Sequence, residues 1–303
     1  MRELVMLAKE CKEYNSAYHH WWVSEKLDGM RVLYLPETRG RRVETVQLAN
    51  RARDSREYIC SGLWTRLGKP VVCPDWFVAD LPDRPLDGEL FLRRGGFQET
   101  MSICKQLNPD DASWRKLRYC IFDSPGYSQI YLADRINNPN YTKLIETPSW
   151  IHSSPYYLSR PFEQVYSELT RLSLGAYAFV LSQQVSAGVD VLMDEVLSDG
   201  GEGLMLRDPR SRWVCKRSDS LLKLKPILLG DGEVVGWEPG EGKYAGMLGS
   251  VVVEWMGVTV CLSGMVDSLR DNSCFPLGSR VEFAYNGLTN LGIPRFPRFR
   301  RIL

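Results

Sequence analysis

Glu25-Lys26-Leu27-Asp28-Gly29-Met30-Arg31 is the stretch around which this 303-residue chain can be read. A lysine stands two residues before an acid, a glycine follows the acid, and an arginine stands two further on. The flanking runs, Val23 to Lys26 and Met30 to Leu35, predict two strands joined by a turn at Asp28-Gly29. Gly29 lets the backbone turn close to a ligand. Arg31 offers a planar fork for ribose or phosphate oxygens. Nearby cations or a metal can lower a lysine pKa from about 10.4, and the free amine can then attack phosphorus to form a phosphoramidate. A surface turn between strands of alternating charge would read the same way, so the decision lies downstream.

Four further stretches follow in order: Leu86-Asp87-Gly88-Glu89-Leu90, Tyr119-Cys120-Ile121-Phe122-Asp123, Gly201-Glu202-Gly203-Leu204-Met205-Leu206-Arg207, and Leu222-Lys223-Leu224-Lys225-Pro226. With these in place the chain resembles the ATP-dependent DNA ligases, within the lysine nucleotidyltransferases that include RNA ligases and mRNA-capping enzymes. The likeness is nearest to the minimal ligases of bacteria and viruses. It runs from Trp21-Trp22-Val23-Ser24 to the C-terminal Arg295-Phe296-Pro297-Arg298-Phe299.

The resemblance implies roles. Lys26 is the nucleophile toward the α-phosphate of ATP, with Glu25 beside it at the nucleotide. Glu89 takes the ribose hydroxyls, and Glu89 and Glu202 are hard oxygen ligands suited to Mg²⁺ or Mn²⁺. Lys223 and Lys225, two apart on a strand, share a face and neutralise the α-phosphate. Arg31 contacts ribose or phosphate, Phe122 stacks on adenine, and Asp28 serves as a base in a later step. Arg66, in Thr65-Arg66-Leu67-Gly68-Lys69-Pro70, meets the 5′-phosphate of a nick. The implied partner is nicked duplex DNA, bound by a monomer.

The fold expected is α+β. A nucleotidyltransferase domain built on antiparallel sheets fills residues 1–226, and an OB-type barrel of short strands fills 227–303. Helices are predicted at Phe97 to Gln106, Phe162 to Leu172 and Val189 to Leu197. Strands are predicted at Leu86 to Leu92, Arg118 to Phe122, Gly203 to Arg207, Leu221 to Lys225, Glu233 to Trp237, Leu248 to Trp255, Val258 to Leu262 and Arg280 to Tyr285. Two segments, 37–63 and 134–160, exceed what a compact pattern needs. The first carries Arg39, Arg41, Arg42, Arg51, Arg53 and Arg56, which suit a phosphate backbone or a solvated insertion.

A formal charge of +1 gives no global nucleic-acid signature, so cations must concentrate on one face. Eight scattered cysteines without C-x-x-C spacing suit buried thiols in a reducing, intracellular compartment rather than a zinc site. No apolar run is long enough to span a membrane, so no membrane partner is expected. His19, His20 and His152 lack metal or triad spacing. Gly240-Glu241-Gly242-Lys243-Tyr244-Ala245-Gly246 fits a hairpin connection approaching DNA better than a P-loop. The rival functions are an RNA ligase or capping guanylyltransferase, and a catalytically silent nick-binding protein.

Overall fold

The computed structural model describes residues 4–11, 14–44, 57–132, 149–186, 188–226, 228–289 and 292–303. The chain divides into two compact units, Met1–Leu224 and Lys225–Leu303.

The first unit holds two five-stranded sheets and a ribbon of β4 (Arg42–Glu44) with β5 (Glu57–Ile59). Sheet one runs β1 (Leu7–Glu10), β12 (Arg217–Leu224), β11 (Leu204–Arg207), β2 (Trp22–Glu25), β10 (Gln184–Val185). Sheet two runs β6 (Leu63–Thr65), β3 (Met30–Tyr34), β7 (Leu86–Phe91), β8 (Arg118–Asp123), β9 (Ala178–Val180). The sheets are mixed rather than purely antiparallel. β1 joins β12 in parallel, and β9 joins β8 in parallel. Parallel neighbours need long crossovers, and the chain between β8 and β9 supplies one that includes the helix Phe162–Leu169.

Side-chain alternation gives each sheet an apolar face and a polar one. In sheet one, Val23, Leu204, Leu206 and Leu222 pack with Val189 and Val196 of the helix Val189–Ser198. The residues between them, Ser24, Met205, Arg207, Leu221 and Lys223, line a cleft. In sheet two, Val32, Leu90, Tyr119 and Ile121 pack with Ile103 of the helix Phe97–Cys104 and with Val165 and Leu169. Arg31, Glu89 and Phe122 line the cleft from that side. The period-2 pattern thus both closes the cores and delivers the polar residues to one place.

The second unit is a single antiparallel sheet, ordered β15 (Val258–Leu262), β14 (Leu248–Trp255), β13 (Leu228–Pro239), β16 (Arg280–Tyr285), β17 (Arg298–Ile302). Val234, Val251, Val253, Val260, Leu262, Val281 and Phe283 form its core. Its two edge strands meet at one bridge, Ser263 to Arg298, where the Phe299 amide donates to the Ser263 carbonyl at 2.9 Å. This bridge brings the two edges of the expected OB-type domain together, and among the described residues no longer ladder joins them. Among the described residues no helix is long and apolar enough to cross a membrane. The eight cysteines are thiols, five of them buried.

Candidate active site

The cleft of the first unit has a volume of about 340 Å³. Its walls carry the cations Lys26, Arg31, Arg66, Arg207, Arg217 and Lys223 against the acids Glu25, Glu89 and Asp123. That two-to-one excess of positive charge, set between low-dielectric sheets, selects an anionic ligand.

Lys26 follows β2 directly. Its amide donates to the Gly203 carbonyl at 2.8 Å, which extends the β2–β11 pairing by one residue. Its amine forms an ion pair with the Glu202 carboxylate. Glu202 reaches this point because the helix Val189–Ser198 ends into Asp199-Gly200-Gly201 and the chain turns back into β11. A Cβ on Gly201 would lie 2.4 Å from Val196 Cγ1, so the return path admits only glycine there.

Glu89 sits on β7 opposite Arg31 of β3. Its Oε1 accepts from the Gly29 amide at 3.2 Å. Burial pushes its carboxyl up to about 7, against the pull of Arg31 and Lys26. Gly29 approaches so closely that a Cβ would lie 2.3 Å from the Leu90 carbonyl oxygen. The glycine of the opening stretch is therefore fixed by backbone contact with β7.

Arg31 does not present its whole fork to the cleft. Its Nε and Nη2 donate to Asp87 at 2.9 and 2.7 Å, and the guanidinium lies 5.1 Å from the Phe122 ring centroid. Asp87, fully buried, also accepts from Trp213 Nε1 at 2.8 Å. Beside this pair lies a second. Arg207 Nη2 reaches Asp123 at 3.4 Å, and burial pushes the Asp123 carboxyl up to about 6, with Arg207 opposing. Two arginines and two aspartates thus make a charge array in which Arg31, Arg207 and Asp123 line the cleft and Asp87 is buried behind it.

Of the residues singled out in the sequence, the fold brings together Glu25, Lys26, Arg31, Arg66, Glu89, Phe122 and Lys223 as cleft-lining residues, with Glu202 paired to Lys26. Asp28 is half-buried in the β2–β3 turn, outside the lining. Lys225 lies past the end of β12 and begins the second unit, so the strand alternation that aims Lys223 does not extend to it. Arg39 and Arg42 are exposed and Arg41 half-buried, and none lines the cleft. Arg51, Arg53 and Arg56 lie outside the described residues. The three histidines are exposed. Sequence reasoning missed Met205, Asp123, Arg207, Trp213 and Arg217 in or under the cleft. Met205 was visible as the alternation partner of Glu202-Gly203, whereas Trp213 carries no local pattern.

Glu202 pairs with Lys26, and Glu89 lines the same cleft. Among the described residues no cluster of three His, Cys, Asp or Glu side chains could hold a metal ion. Carboxylates are hard oxygen donors, and Mg²⁺ takes one or two of them and completes its shell with water and substrate phosphate.

A family model for the DNA ligase OB-like domain matches residues 239–302. A DNA ligase of Haemophilus influenzae is 28% identical over 289 residues, covering 95% of this chain and 88% of that protein. A solved structure from work on Lig E DNA ligases, which bind DNA with a minimal scaffold, superposes with a TM-score of 0.68 at 28% identity and covers 99% of this chain and 98% of that one. The relatives are DNA ligases. The likeness to these minimal ligases takes in both compact units, the cleft included.

Proposed function

We propose that this chain is an ATP-dependent DNA ligase that seals nicks in duplex DNA. The carrying observation is the Lys26–Glu202 pair in a cation-rich cleft, in a chain similar throughout to DNA ligases. The first unit serves as the nucleotidyltransferase domain and the second as the OB domain. The thiol set fits a reducing compartment.

Three in-line displacements at phosphorus follow. Lys26 Nζ, released from Glu202 and relieved of its proton, bonds to the α-phosphorus of ATP as pyrophosphate leaves. The 5′-phosphate of the nick then attacks the same phosphorus and Lys26 departs. Finally the 3′-hydroxyl attacks the activated 5′-phosphate and AMP leaves. The protein's share is positioning and charge neutralisation. Lys223 faces the α-phosphate, Glu89 the ribose, and Phe122 and Met205, from opposite walls, the base. Glu89 and Glu202 would hold Mg²⁺, which supplies charge neutralisation on the phosphates when bound. Arg66 is assigned to the 5′-phosphate of the nick.

Sealing of a 5′-phosphorylated DNA nick should need ATP and a divalent cation, and should be weak with GTP or NAD. Full sealing in EDTA, or with NAD alone, contradicts the reading. Preference for an all-RNA nick would move the chain to the RNA ligases.

A further inference from the structure

Among the described residues, three side-chain ties link sheet one and the chain leading into β12 to sheet two and the turn after β7. Two are buried: Trp213 to Asp87 and Arg207 to Asp123. The third is Arg94, with its side chain 34% exposed. Arg94 leaves the turn after β7, where Gly95 is left-handed at φ 68° and Arg93 pairs with Glu99 at 2.9 Å. Its Nε and Nη2 grip both oxygens of Glu25 at 2.8 and 2.9 Å. Its Nη1 donates to Asp199 at 2.9 Å.

The partners are informative. Glu25 is the residue before Lys26, and Asp199 stands three before Glu202. One guanidinium therefore joins the strand of the nucleophile, the return loop of its carboxylate partner, and the strand that bears Glu89. The space is closed on the far side as well, since a Cβ on Gly201 would lie 3.1 Å from Glu25 Oε1. The fork engages both oxygens of Glu25, so its carboxylate is tied to the turn after β7. A planar bidentate fork fixes orientation as well as distance, which a lysine does not reproduce.

Resting on the nucleotidyl-transfer reading above, we propose that Arg94 is a positioning residue for the first step: its clasp on Glu25 and Asp199 holds Lys26 and Glu202 in register with the wall that carries Glu89. Lys26 must meet phosphorus in line, and displacement of about 1 Å in such a step costs about a hundredfold in rate. The later sealing step does not use the Lys26 amine as nucleophile and depends on the clasp less.

The test uses the whole chain and two assays. One follows label transfer from α-labelled ATP to protein. The other follows sealing of a nick already carrying AMP on its 5′-phosphate. For Arg94→Met the rate of labelling at saturating ATP should fall about tenfold or more. KM for ATP should stay within about twofold, and pre-adenylated sealing should be largely kept. Arg94→Lys should rescue little. Glu25→Gln with Arg94→Met should be no worse than the poorer single variant, because one contact is being removed twice. Equal losses in both assays, a change confined to KM, or additive losses in the double variant would overturn the clasp. If Arg94→Met does not fold, Asp199→Ala breaks the solvent-facing arm, and unchanged labelling there would overturn it too. A wild-type chain that takes no label from ATP would instead sink the nucleotidyl-transfer reading itself.

Discussion

Glu89 carries the clearest electrostatic signature in the cleft. Its carboxyl is raised from 4.5 to about 7, chiefly by burial. An acid with a raised folded pKa holds its proton more tightly folded than unfolded. Its contribution to stability is thus complete below about pH 4.5 and is lost as pH rises through about 7. Glu89→Gln keeps an acceptor for the Gly29 amide and removes the charge. In EDTA this variant should match the wild type in urea unfolding at about pH 4, below the unfolded pKa, and exceed it at pH 8. The gain should be on the order of 1–3 kcal/mol, reduced by water in the cleft. A variant no more stable at pH 8 would show that Arg31 and Lys26 already offset the buried charge. At this scale the opening stretch was legible: Lys26, Arg31 and Glu89 line one cleft, and Glu202 pairs with Lys26. Arg94 and Trp213 were not legible. Arg94 meets a residue 69 positions away and Trp213 one 126 away, and no local pattern marks either contact.

At the scale of elements, strands with strict alternation were read to within a residue or two. β3, β7, β8, β14, β15 and β16 all fall where the apolar pattern put them. The strands missed were short or charged, as β10 with two residues and β1 with Lys9 and Glu10 show. The stretch that forms β17 was read only as the end of the ligase resemblance, not as a strand. In the structure Phe299 packs edge-on against Phe275 while Arg301 pairs with Glu282 at 3.1 Å, so the tail is a working edge strand. Deleting Arg295 through Leu303 would unzip β16 and confuse any assay. Arg295→Ala is the cleaner probe, since Arg295 precedes the strand. If this element orients pyrophosphate, as in the family resembled, Arg295→Ala should slow Lys26 labelling by tenfold or so and spare pre-adenylated sealing. Equal slowing of both would assign it to DNA binding. The arginines before and in β4 invite a separate measurement. Replacing Arg39, Arg41 and Arg42 by Ala should lower the log–log salt slope of nick binding by about one per lost phosphate contact, with labelling unchanged. An unchanged slope would make that segment a solvated insertion.

On the scale of the whole molecule, the α+β character and the change to a β-only second unit were visible in sequence because helical periodicity stops near Pro226. The parallel edges of the two sheets were not visible, since which strand reaches which edge is set by long crossovers rather than by composition. On the proposed mechanism the chemistry lies in the cleft to which both sheets turn a polar face and starts from a single atom there, Lys26 Nζ. The direct measurement is denaturing electrophoresis of the whole chain after incubation with α-labelled ATP and Mg²⁺, beside Lys26→Ala. A covalent, acid-labile label on the wild type and none on a folded Lys26→Ala protein that still binds nicked DNA is the predicted result. Label on Lys26→Ala, or none on the wild type, would contradict it.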